Sequence, residues 1–242
     1  MIRNSIPIGL VLILLFSGQH CVSGIDNESP DYVSYQADIK NQDFALYWKD
    51  DKGQFFRSID NLRTWLEKKG KTLIFAMNAG MYKPGNKPLG LYIENGIVVT
   101  PLDTLSGEGN FYLKPNGVFY TGTNNKPVVC RTEHFKNDGT ILYATQSGPM
   151  LLMEGEIHAA LRKGSGNLNI RNGVGLLPDG KLLFAMSKKE VSFYDFAKYF
   201  KDSGCKDALY LDGLVSRTYL PEENWEQTDG DFGVIMAVTA DK

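Results

Sequence analysis

Five polar residues stand where apolar, strand-like runs begin or end, most of them beside glycine. Asn78 follows the run Leu73–Met77 and precedes Ala79-Gly80. Ser147-Gly148-Pro149 leads into Met150–Met153, and Arg171-Asn172-Gly173 leads into Val174–Leu177. Asp212-Gly213 closes the run Ala208–Leu211, with Ser216 and Arg217 just beyond. Strand ends hold side chains rigidly, and glycine lets backbone N–H groups approach a ligand. In such a pocket Arg171 would grip a phosphate with its planar fork, and the N–H groups around Gly148 and Gly213 would complete an anion nest. Each residue also has a plain reading: Asn78 and Asp212 as turn formers, Arg171 as half of an ion pair, Ser216 as a loop residue. The residues alone define a polar pocket for an anionic ligand.

Other chemistries lack their residues. The chain has no Gly-x-Ser-x-Gly, no phosphate-binding loop and no His-Glu-x-x-His. Its three histidines, His20, His134 and His158, have no metal-ligand spacing, which argues against a zinc site and against a nucleophilic triad. His158 remains a candidate as a lone acid or base. No cofactor is implied, and a divalent ion has no ligand pattern behind it. The 26 basic and 28 acidic residues are scattered, for a net charge of −2, so the basic stripe of a nucleic-acid binder is missing.

These residues need a scaffold, and the sequence describes one. Hairpin signals at Asn95-Gly96, Pro115-Asn116-Gly117, Glu154-Gly155 and Pro178-Asp179-Gly180 separate short β-rich runs, because Asn, Asp and Gly accept the positive φ of tight turns. Leu73–Met77, Ala208–Leu211 and Gly233–Val238 read as buried strands. Ser58 caps a helix that runs to Lys69 and stops at Gly70, and Ser192 caps a second, ending near Asp202, with Asp195 as its capping partner. Leu62, Trp65 and Leu66 line the first; Phe193, Phe196, Ala197 and Phe200 line the second. About ten strands and two main helices give an α+β fold, a single compact domain with a mixed β-sheet rich in hairpins. Leu73-Ile-Phe-Ala-Met77 is faintly similar to Leu182-Leu-Phe-Ala-Met186. Cys130 and Cys205 could pair in an oxidising compartment or remain buried thiols.

At these residues the chain resembles the phosphodiester glycosidase family, in particular its compact bacterial members. The segments that carry the resemblance are Met77-Asn-Ala-Gly-Met-Tyr82, Gly109-Asn-Phe-Tyr-Leu-Lys-Pro-Asn-Gly-Val-Phe119, Gln146-Ser-Gly-Pro-Met-Leu151, Ile170-Arg-Asn-Gly-Val-Gly175 with Asp179-Gly180, and Leu209-Tyr-Leu-Asp-Gly213 with Ser216. They occur in the family's order between about residues 70 and 238. The resemblance implies hydrolysis of a glycosyl-1-phosphodiester in a sugar-phosphate glycoconjugate, with release of free sugar and a phosphomonoester. It implies that Asn78, Arg171 and Asp212 serve the reaction, that Ser147, Gly148, Gly213 and Ser216 bind substrate, and, more weakly, that Asn110 does. Ala79 and Leu214-Val215 depart from the glycines many members carry there, which would narrow the anion nest. The competing readings are a non-catalytic phosphoglycan-binding envelope protein and a phosphodiesterase that cuts the P–O bond.

The first 23 residues read as a signal peptide. Arg3 gives a positive start, Ile6–Phe16 an apolar stretch interrupted by Pro7 and Gly9, and Ser17, Gly18, Ser23 and Gly24 small residues for cleavage. The stretch falls short of the ~20 residues a membrane span needs, so no stable span is expected after cleavage. Residues 24–31 read as a flexible tether and 32–242 as the domain. The expected location is exported, periplasmic or extracellular, or membrane-anchored if the leader is retained. Expressed with its leader, the mature chain should begin within a few residues of Gly24. N-terminal sequencing checks this, and an intact Met1 on soluble cytoplasmic protein would refute it.

Overall fold

The computed structural model describes residue 1, residues 31–213 and residues 215–242. The leader beyond Met1 and all of the tether but Asp31 lie outside the described residues, as does Leu214.

Two amphipathic patterns organise the fold. Lys71–Asn78 and Leu182–Ser187, the two similar segments, each become a strand buried on both faces. Alternate side chains of a strand leave opposite faces. Phe75 and Met77 of one, and Phe184 and Met186 of the other, point into a shared core. Ala76, and Leu73 beyond a bulge at Ile74, pack instead under the first helix, α1 (Ile59–Lys68), against Ile59, Leu62 and Leu66. Leu183 and Ala185 pack under the second, α2 (Phe193–Asp202), against Phe196, Ala197 and Phe200. Both helices start at the serines read from sequence. Ser58 Oγ accepts from Asn61 N, and Ser192 Oγ accepts from Asp195 N while donating to the Asp195 carboxylate.

Three sheets surround the shared core. The first has spatial order β1 (Tyr32–Ala37), β14 (Leu182–Ser187), β13 (Asn172–Leu176), β15 (Asp207–Asp212), β11 (Met150–Met153) and β12 (Glu156–Ile157). The second has order β17 (Trp225–Glu226), β16 (Thr218–Leu220), β3 (Lys71–Asn78), β18 (Ile235–Asp241) and β2 (Asp43–Tyr47). The third has order β7 (Ile97–Thr100), β6 (Tyr92–Glu94), β10 (Ile141–Ser147), β8 (Gly117–Gly122) and β9 (Pro127–Arg131). A short ribbon pairs β4 (Tyr82–Lys83) with β5 (Lys87–Pro88). The α+β class and its two helices stand. The mixed sheet resolves into antiparallel sheets, since every described ladder pairing is antiparallel.

Three of the four turn signals make hairpins. Asn95 and Gly96 both have positive φ between β6 and β7, as do Glu154 and Gly155 between β11 and β12. Gly180 turns β13 into β14. The fourth does not: Phe111 lies in a 3-10 turn, Asn110–Tyr112, and is buried beside Tyr112, so no strand precedes Pro115. The run Gly233–Val238 enters its strand only at Ile235. Sequence patterning also passed over β1 and β2, whose polar positions blur their alternation. Cys130 and Cys205 are free thiols, and burial pushes them up to about 11 and about 12.

Phe184 is where the sheets meet. It stacks on Phe75 at 5.2 Å and on Phe44 at 5.9 Å from the second sheet, and meets the edge of Phe119 from the third at 6.2 Å. Phe184→Ala would remove a core ring that all three sheets share, and such truncations cost about 3–5 kcal/mol. Denaturant unfolding should show a loss of that size, whereas a loss under 1 kcal/mol would mean the sheets do not depend on this contact.

Candidate functional site

The polar residues read from sequence converge because the strands that carry them end on one side of the molecule. Asn78 ends β3, Asp212 ends β15, Ser147 ends β10 and Asn172 opens β13. Asn172 lies opposite Asp212, and the ladder slips at the next step, so that Gly173 faces Tyr210. Leu211 is the extra residue of this bulge. Bulges re-aim side chains at sheet ends, and here the Leu211 carbonyl is taken by Ser147 Oγ at 2.7 Å.

One asparagine ties the ends together. Asn172 Nδ2 donates to both the backbone O and the Oδ1 of Asn78, each at 2.9 Å, across the junction of two sheets. Asn172 Oδ1 accepts from Asp212 N at 2.7 Å. Asn78 Oδ1 takes a second bond from Arg217 N at 2.9 Å. With two donors on its oxygen, the amide of Asn78 has only one orientation, and its Nδ2 is left buried with no hydrogen-bond partner. Asp212 Oδ1 accepts from Gly213 N at 2.7 Å, and Ser216 Oγ donates to Asp212 O at 2.9 Å. Asn78, Ser147, Asn172, Asp212 and Ser216 are all buried. Buried amides and carboxylates persist only when so bonded.

Glycine is required at two of the sites. A Cβ on Gly213 would collide with the Tyr210 hydroxyl, and one on Gly148 would lie 2.7 Å from both Asn116 Cβ and Phe111 O. The same close packing sets Gly148 against Asn110, whose carbonyl would be 3.3 Å from that Cβ. Tyr82 stands nearby: burial first, and the Asp212 charge second, raise its phenol above the usual range.

Arg171 points the other way. Gly173 and Gly175 share its strand face, and α2 presses Phe196 and Phe200 onto them, so Arg171 lies on the helix side while Asn172 and Val174 lie on the core side. It is fully buried. Its Nε donates to Val191 O at 2.9 Å and its Nη2 to Asn167 O at 2.8 Å, and the guanidinium lies 3.6 Å over the Phe193 ring. The bidentate phosphate grip expected from sequence is therefore not the geometry found, since two arms of the fork serve backbone carbonyls. Burial lowers its pKa, opposed by Tyr210. The cation at the network's rim is Arg217, about one-third exposed, forked onto Asp229 at 2.6 and 2.9 Å with Nη1 on Ser216 O. His158 is also a structural residue: Nδ1 accepts from Ala160 N, so Nε2 carries the proton and donates to Lys114 O.

Sequence reasoning gave no role to Asn172, Tyr82 or Gln146. Gln146 is fully buried, and its amide holds Leu91 N, Asp103 N, Asp103 O and Thr132 Oγ1, pinning the loop that flanks Ser147. A cavity of about 350 Å³ lies between Thr104, Lys114, Asn116, Arg131 and Glu133, and neither Asp212 nor Asn78 lines it. Among the described residues no three His, Cys, Asp or Glu side chains cluster as a metal site, and no helix is long and apolar enough to cross a membrane.

Residues 71–235 match the family model described as phosphodiester glycosidase, a span that holds all five segments quoted above. YigE, an uncharacterized protein of Escherichia coli K12, is 34% identical over 214 residues, covering 88% of this chain and 84% of its own. The zebrafish N-acetylglucosamine-1-phosphodiester alpha-N-acetylglucosaminidase catalytic domain, auto-inhibited by its pro-peptide, superposes with a TM-score of 0.54 at 14% identity, over 88% of this chain and 84% of that one. A hypothetical protein from Synechocystis gives 0.53 at 12% identity, over 86% and 59%. The two structural likenesses are likenesses of fold.

Arg171→Lys keeps the charge but cannot reach Val191 O and Asn167 O together. A buried polar group left without its partner costs about 1–3 kcal/mol. The variant should lose roughly that much unfolding free energy or more. Unchanged stability with a lost response to phosphate would instead restore the phosphate-gripping role.

Proposed function

Because the chain belongs to the phosphodiester glycosidase family, we propose that it hydrolyses a sugar-1-phosphodiester at the glycosyl–phosphate bond, in a glycoconjugate of the envelope or the extracellular space. The observation that carries the reading is the strand-end network, which joins the backbone of Asp212, whose carboxylate accepts from Gly213 N, to an unpartnered buried donor, Asn78 Nδ2. Such a pair suits this bond. A phosphodiester is already a fair leaving group once its charge is met, so a strong general acid is not required. What is required is a carboxylate by the anomeric carbon, where positive charge develops, and fixed N–H or cationic groups by the departing oxygen.

Asp212 supplies the carboxylate, as nucleophile or as base for the attacking water. Its position is set by the Asn172 amide below, by Gly213 N and by the Leu211 bulge. The donor fixed in advance is Asn78 Nδ2; Arg217, already forked onto Asp229, brings a cation to the rim but no unoccupied nitrogen. Water attack at carbon gives free sugar and a phosphomonoester, with the proton lost from water accepted by the carboxylate. N-acetylglucosamine is the first sugar to try, since the zebrafish enzyme is named for it.

Asp212→Asn tests this reading. The amide oxygen can still accept from Gly213 N, so the fold should hold, while loss of one acid–base group lowers turnover about 10²–10⁴-fold. The measurement is sugar release from N-acetylglucosamine 1-(methyl phosphate) beside thermal unfolding of the same sample. Wild-type turnover in a folded Asp212→Asn protein would remove Asp212 from the reaction. Sugar phosphate plus methanol as products would mean P–O cleavage, and binding without turnover would mean a phosphoglycan-binding protein.

A further inference from the structure

We propose that Asn172 is a positioning residue for this site: it fixes the amide of Asn78 so that Nδ2 is presented to the substrate as a donor. The proposal rests on the glycosidase reading and adds a residue to it. An asparagine amide can turn over, exchanging donor for acceptor, at little cost in shape. Here the turn is blocked. Asn172 Nδ2 and Arg217 N both place hydrogens on Asn78 Oδ1, at 2.9 Å each, and either would face an N–H if the amide reversed. Asn172 Nδ2 is itself oriented, because the other end of its amide accepts from Asp212 N at 2.7 Å. The chain of bonds runs Asp212 N to Asn172 Oδ1, then Asn172 Nδ2 to Asn78 Oδ1, with Asn78 Nδ2 left over.

That leftover group is the second observation. Asn78 is 1% exposed, and its Nδ2 has no partner in the protein. A buried donor without a partner costs free energy, and native proteins rarely leave one without a reason. A substrate oxygen within reach of the carboxylate, from the phosphodiester or from a sugar hydroxyl, is the partner this geometry lacks. A site built to donate a hydrogen bond also rejects analogues without the acceptor.

The test compares Asn78→Ala, Asn172→Ala and the double variant for kcat, KM and thermal unfolding on N-acetylglucosamine 1-(methyl phosphate). Each single change should lower kcat/KM by about 10- to 100-fold, the range of one lost buried hydrogen bond. The double variant should lose far less than the product of the two, since the residues act as a unit. Fully multiplied losses, or an Asn172→Ala protein with wild-type kcat/KM and only a lower melting temperature, would overturn the proposal. If Asn172→Ala does not fold, Asn78→Asp replaces it. Its carboxylate can still accept from Asn172 and Arg217 but offers the substrate an oxygen, so a similar loss is expected, and wild-type kcat/KM would refute the donor. The side-chain amide signal of Asn78 in a nitrogen–proton correlation spectrum gives a readout free of turnover. It should move in Asn172→Ala, and an unmoved signal overturns the positioning role. If the wild type releases no sugar, the glycosidase reading fails while this spectrum still decides the role of Asn172.

Discussion

The site depends on one amide that spans two sheets. The last residues of β3 and β15 each present a backbone group that a side chain meets, Asn78 O and Asp212 N. Asn172 supplies that side chain for both: a donor pair for Asn78 and an acceptor for Asp212 N. The low dielectric around these groups strengthens each bond and penalises any gap. A leucine at 172 would remove three buried hydrogen bonds at once and leave Asn78 Oδ1 with Arg217 N alone. The polar network thus sets the relative position of the sheets near the site, as Phe184 does deeper in the core.

Arg171 does comparable work one residue away and on the opposite face. Its guanidinium joins the loop at Asn167 to Val191, the residue before the cap of α2, and stacks on Phe193 in the first turn of that helix. A planar cation is suited to this, because it can donate along its edge while its face meets a ring. The cation fastens the helix that covers the first sheet, and that sheet carries Asp212. Its bearing on the site passes through the position of β15.

Much of this was legible in the sequence, for reasons that can be traced. Leu73–Met77 and Ala208–Leu211 are unbroken apolar runs, so a polar residue at either end had to sit at the margin of a core, and Asn78 and Asp212 do. The two serine caps were legible because capping is local chemistry. The direction of Arg171 was harder. Both faces of β13 are buried, and alternation then gives two faces without saying which meets the site. The clue was present as glycines at 173 and 175, room for α2 on the face that Arg171 shares. Asn172 was passed over because its partners, Asn78 and Asp212, are remote in sequence and belong to different sheets. The absence of a strand before Pro115 was not legible, because a β-rich composition does not reveal a chain bend packed against Gly148.

The order of strands in the second sheet has a consequence for how the molecule is made. β3 lies between β16 and β18, both of which are translated near the C-terminal end of the chain. Until they emerge, β3 has two open edges, and Asn78 has neither Arg217 N above it nor the pairing with Ile235 beside it. Distant pairings form late because loop closure must come first. The chemistry of this fold therefore waits on β16 and β18, and a chain interrupted before β18 would carry nearly every residue of the site without the site.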